Sequence, residues 1–232
     1  MTTSTHRFVA SDSSGEVSAL LLRPPGARAL FVYAHGAGAG MHHAFMETTA
    51  ERLADRGVAT FRYQFPYMEA GRRAPNPRGV LLKTVRNAVA AAADAAPDLP
   101  LVAGGKSMGG RMTSTAASTE ALPGVRGLAF FGFPLHAPGR KSADRGAHLA
   151  DVGLPMLFLQ GTRDKLADLD LLTPLLADVR PAPVLHVIDG ADHGFHVLKR
   201  SGRTDDEVLD EACDRMAAWI DALGPAADEM RF

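Results

Sequence analysis

Cysteine is almost absent from this chain: Cys213 stands alone among 232 residues. No intrachain disulfide or thiolate metal cluster can form from it, and its neighbours Leu209, Met216 and Ile220 suggest a buried apolar thiol. An excess of charge of either sign is missing too. Lysine and arginine number 25 against 26 acidic residues, a formal net charge of −1, which leaves no broad basic field for nucleic-acid binding. No apolar stretch approaches the roughly 20 residues needed to span a bilayer, and Met1 to His6 have neither the charged nor the apolar region of a signal peptide. The expectation is a soluble, cytoplasmic protein with no nucleic-acid or membrane partner. Internal repeats and low-complexity segments are lacking, and Pro24-Pro25-Gly26 is too short for an interdomain linker.

What is present is an ordinary globular composition, 46% hydrophobic and 22% charged, in a length that suits one α/β domain over 1–232. Strand-like runs alternate with amphipathic ones, the pattern of a mostly parallel sheet covered on both faces. His6 to Ala10 and Val17 to Arg23 flank a turn at Asp12-Ser13-Ser14-Gly15. Further strands are expected at Ala29 to Ala34, Val58 to Tyr63, Pro100 to Gly104, Val125 to Phe131, Pro155 to Gln160 and Pro183 to Ile188, about eight in all. Helices are expected near Ala44 to Arg56, Arg78 to Ala95, Met108 to Ser118, Asp168 to Asp178 and Asp205 to Leu223. In the second, Leu81, Val85, Val89 and Ala92 form one apolar face; in the last, Leu209, Cys213, Met216, Ile220 and Leu223 do the same. Thr204 and Glu207 form a capping-box start to that helix, and Gly224-Pro225 a stop. The interval Gly132 to Leu154 is short enough for a simple connection with one small helix rather than a lid, so an open site is expected.

The chemistry is concentrated in Gly105-Lys106-Ser107-Met108-Gly109, a G-x-S-x-G sequence between an apolar run and a helical pattern. In that context it reads as a nucleophile elbow, with the serine hydroxyl exposed on a strained turn. A serine is a weak nucleophile at neutral pH and needs an imidazole to take its proton, with a carboxylate to orient the ring. Asp164 follows the strand ending at Gln160, and His193 follows the strand ending at Ile188, so both fall on loops past a strand end. Asp168 and Asp170 read better as first-turn helix acids, and Asp192 as a turn former or a partner of the histidine. His196 is an alternative base, and His186 a packed or surface histidine. Oxyanion donors are expected from the backbone N–H of Met108 and, in the Gly-rich loop His35 to Gly40, from that of Ala37.

Four stretches, HGAGAGMHHAFM at 35–46, RYQFPYMEAGRR at 62–73, GGKSMGGRM at 104–112, and QGTRD with GADHGFHVLKRSGR at 160–164 and 190–203, carry a family resemblance. The chain resembles the lid-less α/β-hydrolases near the dienelactone hydrolases. It looks most like the bacterial branch related to the hydrolase-like domain of a subunit of the NSL histone-acetyltransferase complex. The resemblance implies the α/β-hydrolase fold and supports Ser107, Asp164 and His193 as a triad, with no cofactor. Serine in place of the cysteine nucleophile of dienelactone hydrolases means that their lactone chemistry does not carry over.

The expected partner is a small-molecule acyl substrate: an ester, thioester or lactone. Arg72, Arg73, Lys199 and Arg200 fall on segments expected to ring the site and can either recognise a substrate carboxylate or phosphate or be solvated surface charge. Lys106 can simply project away from the pocket. Met41 and Tyr67, with Phe65, Pro66 and Met68, can line an apolar acyl pocket or fill the core. His35, His42 and His43 lack the spacing of a metal site. The other function class open to the sequence is a non-catalytic interaction module on the same scaffold, and a homodimer through an edge strand or the last helix is possible.

Overall fold

Ten residues from Thr2 to Ser11 form the first strand, β1, which turns back into β2 (Gly15–Arg23). A computed structural model of the chain describes residues 1–224; Pro225 lies outside them. The remaining strands are β3 (Ala29–Ala34), β4 (Val58–Tyr63), β5 (Leu101–Lys106), β6 (Val125–Phe131), β7 (Met156–Gly161) and β8 (Val184–Ile188). They form one eight-stranded sheet in the order β1-β2-β4-β3-β5-β6-β7-β8. The β1–β2 and β2–β4 pairs are antiparallel and the rest parallel. Every residue of β3, β4 and β7 is buried, as strands covered on both faces require, and this is why they read as apolar runs rather than alternating ones.

The helices are α1 (Ala44–Asp55), α2 (Pro66–Glu69), α3 (Arg78–Ala95), α4 (Met108–Thr119), α5 (Leu169–Ala177) and α6 (Asp205–Ala222). One apolar cluster joins α1 and α6 to one face of the sheet through Met46, Leu53, Phe131, Met216 and Trp219. A larger cluster joins α3, α4 and α5 to the other face through Val85, Val89, Met112, Phe130 and Leu172. The α3 residues Leu81, Val85, Val89 and Ala92 are all buried. The Thr204–Glu207 capping box opens α6.

Two local features differ from the sequence pattern. The first strand begins at Thr2 rather than His6, because the polar segment Thr2 to Thr5 pairs as an exposed edge with Leu20 to Arg23. The single turn α2 has no helical periodicity to reveal it; its sequence signal is Pro66 in the first helical position, where a missing N–H costs nothing. Between β6 and β7 lies a 3-10 helix, Asp144–Asp151, joined to α4 by a hydrogen bond between its His148 and Ser114.

Candidate active site

Strand β5 passes into α4 through Ser107, whose backbone has φ 52° and ψ −118°. For a residue with a Cβ this left-handed conformation costs on the order of 1–3 kcal/mol, and the surroundings enforce it. Ser107 N–H donates to Phe131 O at 3.1 Å, tying the turn to β6. A Cβ at Gly105 would collide with Ala34 O, and one at Gly109 would lie 2.5 Å from the same oxygen. Both flanking glycines are therefore needed to let the elbow pass against the end of β3.

The hydroxyl so presented starts a chain of hydrogen bonds. Ser107 Oγ is 2.8 Å from His193 Nε2, and His193 Nδ1 is 2.7 Å from Asp164 Oδ2. The Asp164 side chain is fully buried. Its Oδ2 also accepts from Gln160 Nε2 at 2.5 Å, and its Oδ1 from Leu166 N–H at 2.8 Å. These contacts fix the carboxyl group in place, and with its Nδ1 turned to Asp164 the His193 ring presents Nε2 to the serine hydroxyl. His193 itself sits on a tight turn. Asp192 Oδ1 accepts the N–H groups of Gly194 and His196, at 2.8 and 3.0 Å, and Phe195 adopts φ 68°.

A second serine–histidine pair, Ser114 Oγ with His148 Nε2 at 2.7 Å, differs in every respect that matters for nucleophilic chemistry. Ser114 lies within α4, is buried, and donates to Arg111 O at 3.1 Å. Among the described residues no carboxylate is hydrogen-bonded to His148, whose pKa is lowered to about 4 by burial and by the nearby Arg111 and Arg78 guanidinium groups. The pair fastens the 3-10 helix to α4.

Beside Ser107 runs the loop that follows β3. His35 is buried and hydrogen-bonded through both ring nitrogens: Nδ1 lies 2.7 Å from Gly36 O, and Nε2 accepts Phe65 N–H at 3.1 Å. Burial lowers its pKa to about 4, so the ring is a neutral strut. Tyr67 Oη accepts Gly38 N–H at 3.1 Å, and Gln64 Oε1 accepts Met41 N–H at 3.1 Å. Between these fixed points, the Ala37 amide has no acceptor among the described residues. Met108 is the first residue of α4, where a backbone N–H has no partner within its helix.

A cavity of about 560 Å³ opens over Ser107 and His193, running between the starts of α1 and α6. Ala37, Phe45, Leu166, Phe195 and Leu209 are among its lining residues. Lys106 does not project away from it. Its ammonium donates to His193 O and lies 5.1 Å from the Phe45 ring centre and 5.0 Å from that of Phe195. Burial lowers its pKa to about 8, against the opposing pull of Asp164 and Asp192. Gly132 makes room for this group, since a Cβ there would lie 3.0 Å from Lys106 Nζ. The other candidates fall elsewhere. Met41 is buried beneath a different surface hollow with His6 and Leu20, Tyr67 acts on the Gly38 amide, and Arg72, Arg73 and Lys199 are exposed residues that do not line the cavity. His43 caps α1, His186 pairs with Glu211, and His196 pairs with Asp205. Among the described residues no group of three or more His, Cys, Asp or Glu is arranged to hold a metal ion.

A family model described as "Alpha/beta hydrolase domain" matches residues 27–221. The chain belongs to this family. Its fold recurs in solved structures at low sequence identity. A dienelactone hydrolase from Anabaena variabilis superposes with a TM-score of 0.72 at 19% identity, over 94% of this chain and 97% of that one. The esterase domain of a Rhodothermus marinus protein gives 0.71 at 17% identity, over 97% and 100%. An α/β serine hydrolase without lid from Xanthomonas campestris gives 0.69 at 18% identity, over 92% and 94%. No helix among the described residues is long and apolar enough to cross a membrane.

Proposed function

We propose that the chain is a serine hydrolase that cleaves a small ester, thioester or lactone through an acyl-enzyme. The observation that carries this reading is the unbroken hydrogen-bond chain Ser107–His193–Asp164, which ends at a strained serine facing a cavity. In the proposed route His193 Nε2 takes the Ser107 proton as Oγ bonds to the substrate's acyl carbon. The oxyanion that forms is held by the Ala37 and Met108 amides. His193 then passes the proton to the leaving group as its bond to the acyl carbon breaks. Water, deprotonated by the same imidazole, releases the acid and restores Ser107. The Asp164 carboxylate orients the ring and stabilises the imidazolium. The finer kinship, with the bacterial branch related to the NSL-complex subunit, belongs to the same proposal and draws on stretches that border this site.

A fluorophosphonate probe tests the reading directly: it should label wild-type protein at Ser107 and leave Ser107→Ala unlabelled. With short-chain p-nitrophenyl esters, Ser107→Ala should lower kcat by at least about 10⁴-fold. An unlabelled wild type, or equal rates from the two proteins, would refute turnover at this serine and leave the scaffold as an interaction module.

A further inference from the structure

We infer that the part of the substrate seated in this cavity is uncharged and apolar, and that esters carrying a carboxylate or phosphate there are excluded. The inference rests on the serine-hydrolase reading above and adds the substrate class.

Each ionisable side chain of the lining is already engaged within the protein. The Lys106 ammonium is shared between His193 O and the faces of Phe45 and Phe195. Asp205 accepts from Val197 N–H at 2.8 Å and pairs with His196 Nδ1 at 2.7 Å. His43 Nδ1 accepts Phe45 N–H at 3.2 Å, and His193 belongs to the hydrogen-bond chain. Thr48 and Ser107, whose hydroxyl meets His193, are the remaining polar side chains of the lining, and both are uncharged. The rest of the wall is small or apolar, with Phe45, Met46, Leu166, Phe195 and Leu209 providing most of its bulk. The cations that the sequence offers for anion recognition, Arg72, Arg73 and Lys199, do not line it. A carboxylate entering here would give up its hydration without gaining a free cation, which is strongly unfavourable. A hydrocarbon group would gain by leaving water.

Either the acyl or the alcohol side of an ester can supply this group, and two series of substrates distinguish them. The first is p-nitrophenyl acetate, butyrate and hexanoate; the second is methyl, butyl and hexyl acetate. In one of them kcat/KM should rise by about fourfold per added methylene. In the responding series, an ester ending in a carboxylate should react at least tenfold more slowly than its neutral counterpart of equal length. Leu209→Trp and, on the opposite wall, Thr48→Phe should each lower the hexyl-to-methyl or hexanoate-to-acetate preference by about tenfold or more. Two independent substitutions guard against one that fails to fold, with circular dichroism reporting folding.

Flat profiles in both series, or faster turnover of the carboxylate-bearing ester, would overturn the inference. Those outcomes differ from failure of the underlying reading. If Ser107 is labelled by the fluorophosphonate and acetate esters are cleaved, the hydrolase reading stands and the substrate class alone falls; absence of labelling and turnover removes both.

Discussion

Lys106 is a half-buried cation within reach of the catalytic candidates, and its ammonium grips the backbone of His193, the residue that meets Ser107. Asp164, Asp192 and His193 are the ionisable groups facing it, while Phe45 and Phe195 enclose it. Lys106→Met should release His193 and lower kcat by roughly 10²-fold, with a smaller change in KM. The pH dependence separates this role from simple packing. Because burial brings the ammonium down to a pKa of about 8, wild-type kcat/KM should fall as pH rises through that value and the charge is lost. The fall should be absent in Lys106→Met and moved upward in Lys106→Arg, as rate profiles from pH 6 to 10 would record. The sequence places Lys106 beside the serine but does not reveal its direction. A lysine in an elbow is as compatible with solvent as with a cavity, and its three partners arrive from the first turn of α1 and from the loop after β8. The same holds for Tyr67, whose hydroxyl meets Gly38 only once the short turn α2 has formed.

Helices α1 and α6 bound the cavity and are stitched together by charge. Arg52 reaches Asp206 at 2.6 Å and Asp210 at 2.5 Å, and Arg56 reaches Asp210 at 2.9 Å and Asp214 at 2.5 Å. The acids recur every four residues along one face of α6, opposite two arginines four apart on α1. Exposed pairs of this kind contribute only about 0.2–1 kcal/mol each, and salt weakens them. Replacing both arginines by alanine should lower Tm by roughly 2–8 °C, with the difference shrinking in 1 M salt, as calorimetry at two ionic strengths would show. The helices themselves are legible because their signals are local: the Thr204 cap and apolar spacing mark α6, and Leu81 to Ala92 mark α3. Their pairing is not, because Arg52 and Asp206 are 154 residues apart, and i, i+4 charge spacing on a helix is equally consistent with a solvated face.

For the molecule as a whole, two histidines, His35 buried and His148 half-buried, set an acid limit. His35 and His148 bind a proton near the ordinary value of 6.5 in the unfolded chain but only near 4 when folded. Between those values the unfolded state holds more protons, so stability falls as pH falls. His35 alone contributes on the order of 3 kcal/mol to that decline. Urea midpoints should drop between pH 7 and pH 5, and His35→Gln should flatten the dependence even if it lowers stability at neutral pH. The sheet is the most legible part of the molecule, since its doubly covered strands announce themselves as uninterrupted apolar runs. The walls of the cavity are the least legible, because they are assembled from the beginnings of two distant helices and three loops. Every group around Ser107 comes from a connection leaving the same end of the parallel strands, while the opposite ends and the β1–β2 hairpin supply none. Each of these connections can lengthen, shorten or change composition without shifting the register of the strands beneath it, so the range of molecules accepted can be re-specified one loop at a time on an unaltered frame.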